Sequence, residues 1–178
     1  MNANVQRYNR VAIALHWVTA ILMLYMLVWG EGLMKGQPWN KIAPTNPGLH
    51  VSLGLTVLVL TVLRLVWRLI NPPPPDVPMS ALQQQLSHAM HWAFYALLLL
   101  IPVSGLAGLG RWFTRHTDIT AVSFFGLFDV PALPVPLLGG AHDLFTKLMW
   151  ALLALHVLAA LKHQFMDKDD LMKRMSLR

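Results

Sequence analysis

The chain has 178 residues and a mass of 20.0 kDa, the size of one domain. Apolar residues make up 56% and charged residues only 12%, against about 25% charged in an ordinary soluble domain. With a mean hydropathy of +0.50, this excludes a disordered chain and points to a membrane protein. The absence of cysteine excludes disulfides, thiolate zinc sites, cysteine-held iron–sulfur clusters, covalently attached c-type haem and thiolate-ligated haem. Any metal must rest on histidine, methionine or scarce carboxylates. The net charge of +6 would suit nucleic acid in a soluble protein. No stretch resembles a nucleic-acid module, so no nucleic-acid partner is expected. The basic residues flank apolar runs instead, as the positive-inside rule describes.

Four spans follow in chain order. Val11 to Gly30 is a run of 20 uncharged residues, and a bilayer core of about 30 Å needs roughly 20 helical residues. Arg7 and Arg10 precede it, as in a signal peptide. The run exceeds the roughly 7–15 apolar residues of such a segment, and no small-residue cleavage site follows, so it reads as retained. The second span is Leu49 to Ile70, opened by Thr45-Asn46-Pro47 as a capping signal. Arg64 and Arg68 near its end can snorkel to headgroups. The third is Leu86 to Gly110, with Ser80 and Gln83 as a capping box ahead of it and Pro102 and Gly105 placed to bend it. The fourth runs from His142 to Phe165. Together they predict an all-α integral membrane four-helix bundle, one domain over residues 1–178.

Four spans put both termini on one side. Nine basic residues lie on that side (Arg7, Arg10, Arg64, Arg68, Lys162, Lys168, Lys173, Arg174, Arg178) and five on the other (Lys35, Lys41, Arg111, Arg115, Lys147). The bias predicts cytoplasmic termini. Asn71 to Pro75 reads as a stiff polyproline-like linker on the inner side. The segment from Arg111 to Ala141 is too apolar for a free loop and too proline-rich for a span. It reads as a cap lying over the outer end of the bundle.

The histidines carry the chemistry. Seven of the eight fall in the spans: His16, His50, His88, His91, His142, His156 and His163. Ionisable groups there are costly and usually functional. His16 lies six residues after Arg10, and His156 lies six residues before Lys162. At the helical rise each sits about 9 Å from its inner basic flank. His50 and His142 each open a helix after a glycine, at the outer edge. His142 and His156 are fourteen residues apart, about 21 Å of rise and nearly the same helix face. One helix can therefore supply a ligand to each of two stacked sites. Two haems, each held by two imidazoles, fit that spacing and leave no position on iron for oxygen.

Other readings compete. His142 and His50 could simply open helices. His91 is a rival ligand, since it lies six residues inside Gln85. His88 and His91 could also bind haem propionates or orient a ligand through hydrogen bonds. Zinc would need three or four ligands at one point, which two separated pairs do not offer. Met23, Met26, Met90 and Met149 suit packing better than ligation.

The pattern resembles the bacterial cytochrome b561 family of four-helix, di-haem b membrane proteins. The matching stretches are Arg10 to Trp17, Gly48-Leu49-His50, His88-Ala89-Met90-His91-Trp92, Ile101 to Gly105, Ser123 to Leu127, His142, and Leu155 to His163. The resemblance implies a bundle in the bacterial inner membrane with two b haems. His16 and His156 would hold the inner one, His50 and His142 the outer one. It also implies electron passage to ubiquinone, with superoxide as donor in one member type. A second type is a cytochrome b anchor joining a partner dehydrogenase or hydrogenase to quinone.

On this reading Arg111, Arg115, His116 and Lys147 form a cationic funnel for superoxide. His163, seven residues and about 10 Å beyond His156, is the candidate for hydrogen-bonding a quinone oxygen. The proline linker and the tail from Lys168 to Arg178 would dock a partner protein or anionic membrane lipid.

Overall fold

Among the described residues, four helices are long and apolar enough to cross a membrane. In the computed structural model, which describes residues 6–35, 46–115, 122–133 and 135–176, they are α1 (Arg10–Lys35), α2 (Pro47–Ile70), α3 (Ala81–Arg115) and α5 (His142–Lys162). A short α4 (Pro136–Gly139) and a two-stranded hairpin, β1 (Ser123–Phe124) and β2 (Phe128–Asp129), lie between α3 and α5. A π-helical turn (His163–Asp167) and a 3₁₀ turn (Leu171–Met175) follow α5.

Local chemistry explains the helix starts. The Asn9 carboxamide accepts from the Ala12 amide at 2.8 Å. Asn46 accepts from Leu49 at 2.9 Å, with Pro47 at the first helical position. At α3 the expected box forms both ways: the Gln83 amide donates to Ser80 Oγ at 3.3 Å, and the Ser80 amide to Gln83 Oε1 at 3.0 Å. α1 runs past Gly30 to a Glu31–Lys35 ion pair. α3 runs through Pro102 and past Gly110 to Arg115. Arg111 and Arg115 therefore sit on a helix rather than in the loop expected there.

The helices bury little against one another. Ile21 is 65% exposed, Val59 55% and Leu158 63%, an apolar girdle that suits lipid and not water. The interior is a small cluster around Met23, Val57, Leu98, Ile101 and Met149. Thr19, Ser52, Thr61 and Ser104 are buried too, and each returns its hydroxyl proton to a carbonyl of its own helix.

α1 packs on α2, α2 on α3, and α3 on α5. α5 makes no comparably close backbone approach to α1 or α2. At one end of the bundle the described N- and C-terminal segments meet, the Tyr8 amide donating to the Arg174 carbonyl at 3.2 Å. Arg174 is buried and donates to the carbonyls of Gln6, Pro74 and Pro75 at 3.2, 2.9 and 2.8 Å. It thus ties the N-terminal segment, the proline linker and the C-terminal segment together. The expected docking role of the tail cannot include Arg174, whose charge is turned inward.

At the opposite end the hairpin covers α2 and α3. The Phe125 amide donates to Ser52 Oγ at 2.8 Å, and the Leu133 amide to the Leu106 carbonyl at 3.1 Å. Val122 and Val130 pack with Val51 and Leu109. Phe125 and Gly126 both have positive φ, 47° and 75°, as a tight hairpin turn requires. This apolar cap agrees with the expectation for that segment. Lys41, His116 and Arg178 lie outside the described residues.

Candidate functional site

Four histidines face one another as two pairs. α1 supplies His16 and α5 supplies His156, with ring centroids 6.5 Å apart. α2 supplies His50 and α5 supplies His142, with centroids 6.2 Å apart. The first pair lies toward the terminal end, the second toward the cap. Two imidazoles on one metal need about 2.0 Å per bond, plus about 1.1 Å from each nitrogen to its ring centre. That places the centroids about 6.2–6.4 Å apart, close to both observed values. Rings in contact only by packing have no reason to repeat this distance. Both pairs also bridge helices that stay apart, α1 from α5 and α2 from α5, so a flat group has room between them.

The surroundings of each pair differ. At the cap end His50 Nδ1 is 2.8 Å from the Gly30 carbonyl. His142 Nδ1 is 2.8 Å from the Ile101 carbonyl and 3.2 Å from Ser104 Oγ. A carbonyl accepts only, so each Nδ1 donates and each Nε2 keeps its lone pair for a metal. Glycines make the room: a Cβ on Gly30 would stand 3.4 Å from the His50 ring, and one on Gly105 would stand 3.2 Å from the His142 ring. The pair opens on a cavity of about 720 Å³, within the range of cofactor sites. Arg111, Arg115 and Lys147 line it as well. Lys147 also pairs with Asp143 at 2.8 Å, which reduces its weight as a free cation.

At the terminal end His16 Nδ1 is buried and has no hydrogen-bond partner among the described residues. Such a group costs about 1–3 kcal/mol, so packing alone does not account for this ring. Phe94 sits edge-on to His156 at 5.3 Å. Half-buried Arg64 lies over Tyr95, 5.4 Å from the ring centre. The ring-to-ring contact at this end is His16 with His156, not with His91. His88 turns elsewhere: its Nε2 is 3.0 Å from Asp76 Oδ2 in the linker. Hydrogen bonds from Gln84 and His88 hold the Asp76 carboxyl below the usual carboxylate range.

His163 begins the π turn after α5. Its Nδ1 is 2.5 Å from Asp169 Oδ2 and 3.3 Å from Asp167 Oδ2. Asp167 lies four residues on, one helical turn away. Asp169 is not evident from sequence spacing; it is brought back by left-handed backbone at Lys168, φ 51°, a conformation with no strong sequence signal outside glycine.

A transmembrane helical bundle with facing histidine pairs invites comparison with known families. The family model for prokaryotic cytochrome b561 matches residues 7–176. The chain belongs to the prokaryotic cytochrome b561 family. Cytochrome b561 homolog 2 of Escherichia coli (strain K12) is 33% identical over 177 residues, covering 96% of this chain and 91% of that protein. A Yersinia pestis protein named "Probable superoxide oxidase CybB" is 31% identical over 186 residues, covering 96% of each. Cytochrome b562 of Cereibacter sphaeroides is 27% identical, covering 94% of each. As a member of the cytochrome b561 family, the chain is a multi-pass membrane electron-transfer protein that binds haem b.

Proposed function

We propose that this cytochrome b561 holds two b haems, one on His16 and His156 and one on His50 and His142, and carries electrons from superoxide to ubiquinone. The observation that carries this reading is the pair of ring separations, 6.5 and 6.2 Å, set fourteen residues apart on α5. When bound, the haem irons supply reversible one-electron chemistry. The chain does the rest. The carbonyls of Gly30 and Ile101 fix the tautomer and tilt of His50 and His142. The hairpin and α4 cover the cap end, and Arg111 and Arg115 present positive charge at the cavity that a small anion would approach.

The excess of basic residues at the terminal end supports a cytoplasmic position for that end and an outer position for the cap in a bacterial inner membrane. The balance is two superoxide anions giving two dioxygen molecules and two electrons, taken up with two protons by ubiquinone to form ubiquinol. His163 lies on the terminal side of His156 and offers Nε2, since Asp169 occupies Nδ1. Its proposed role is to hydrogen-bond a quinone oxygen. Y. pestis CybB, similar along its whole length, supports superoxide as donor by its name. The alternative role as an anchor subunit for a partner dehydrogenase has less support, because Arg174 and the proline linker are engaged with each other.

The test is superoxide-driven ubiquinone reduction by detergent-purified, haem-loaded protein. Ubiquinol and dioxygen should form in a 1:2 ratio. No ubiquinol from fully loaded protein would overturn the superoxide-to-quinone reading.

A further inference from the structure

We propose that Asp169 is the positioning residue of a proton-transfer pair: it holds His163 so that the ring passes a proton from water at the terminal end to a ubiquinone oxygen through Nε2. This rests on the reading of His163 as the quinone-side histidine. The geometry is that of a carboxylate–imidazole pair. Asp169 Oδ2 lies 2.5 Å from His163 Nδ1, and Asp169 Oδ1 accepts from the Leu171 amide at 3.1 Å. The carboxylate is thus held at both oxygens. Access runs in one order. The His163 side chain is 16% exposed and the Asp169 side chain 30%. The carboxylate stands on the wet side and the ring on the covered side, where α5 ends, seven residues past His156.

Three carboxylates follow α5, and their partners separate them. Asp170 pairs with Lys173 at 2.8 Å, and Asp167 with Lys162 at 2.5 Å. Asp167 Oδ2 also stands 3.3 Å from His163 Nδ1, longer than a good hydrogen bond. Among the described residues Asp169 pairs with no lysine or arginine, and its charge faces His163. An ionised carboxylate only accepts, so Nδ1 keeps its proton and the one exchanged is on Nε2. Asp169 fixes that tautomer and the tilt of the ring, and it stabilises the imidazolium formed in passing. The step balances. Ubiquinone takes up two electrons, delivered one at a time through the haems, and two protons. His163 supplies one of those protons: its Nε2–H bond breaks, an O–H bond forms on the quinone, and Nε2 is reprotonated from water. The Nδ1 proton stays where it is.

The test follows reoxidation of dithionite-reduced, haem-loaded protein in detergent by a short-chain ubiquinone analogue, which needs no superoxide. Asp169→Asn keeps the shape of the side chain and an acceptor for the Leu171 amide but removes the charge. It should lower the saturating rate about tenfold, while the half-saturating quinone concentration stays at the wild-type value. Asp169→Glu should restore most of the rate, and Asp170→Asn should match the wild type. Rates are read per reduced haem, so a partial loss of haem in a variant does not mask the result. A saturating rate in Asp169→Asn equal to the wild type, with His163→Gln slow, overturns the inference. So does a loss that Asp169→Glu does not restore, or a rise in the half-saturating concentration alone. If His163→Gln is itself as fast as the wild type, the quinone-side reading of His163 falls, and the inference falls with it.

Discussion

A glycine backs each cap-end histidine, and the two are not equally tight. The Cβ added at Gly105 meets the His142 ring at 3.2 Å, whereas at Gly30 the distance to His50 is 3.4 Å. The first requires the His142 ring to give by a few tenths of an ångström, which loads its hydrogen bond to Ile101; the second is near ordinary contact. Gly105→Ala should therefore lower haem retention at the cap-end site, and Gly30→Ala should lower it less. Haem absorbance per protein after detergent purification measures both, and equal retention would show that the ring seats do not matter. His163 has a separate expectation. His163→Ala should slow ubiquinone reduction about tenfold or more while haem content stays at the wild-type value. Unchanged turnover would remove His163 from the quinone site. The histidine pairing was legible because ionisable residues stand out against apolar spans. The carbonyl and carboxylate partners were not, since Gly30, Ile101 and Asp169 reach their histidines only through tertiary packing or left-handed backbone.

The four spans were legible because long uncharged runs have few alternatives in a chain this apolar. Their ends were not all legible. α1 continues to Lys35 because Glu31 and Lys35 pair along the helix. α3 continues to Arg115, although glycines at 105, 108 and 110 weaken its last turns. The Ser80–Gln83 box formed where expected, since its partners lie three residues apart and need no tertiary help. Arg174 is the opposite case, a basic tail residue that reads as surface and is buried. Its guanidinium serves three carbonyls of two separate segments, the N-terminal one and the proline linker. Arg174→Ala should leave those carbonyls without their donor and cost about 1–3 kcal/mol. A lowered thermal midpoint in detergent, with accelerated proteolysis of the two termini, is the expected result; an unchanged midpoint would show that the junction is not stabilising.

At the scale of the whole molecule, the two ends of the bundle do different work. The cap end joins a cavity, a histidine pair and the cations of Arg111 and Arg115. The terminal end joins the other pair, Arg64 and His163. If superoxide is captured at the cap end, capture should depend on long-range attraction. Arg111→Ala and Arg115→Ala should each lower the superoxide oxidation rate, and added salt should flatten the difference from wild type. Equal rates in both variants at low salt would rule out the funnel. The central claim is that α5 contributes one histidine to each of two haems. It is tested most directly by the haem-to-polypeptide ratio of the purified, haem-supplied protein, with low-spin b-type spectra recorded in both oxidation states. The account predicts two haems in the wild type and one after His142→Ala or His156→Ala. One haem in the wild type, or no loss in either variant, would contradict it.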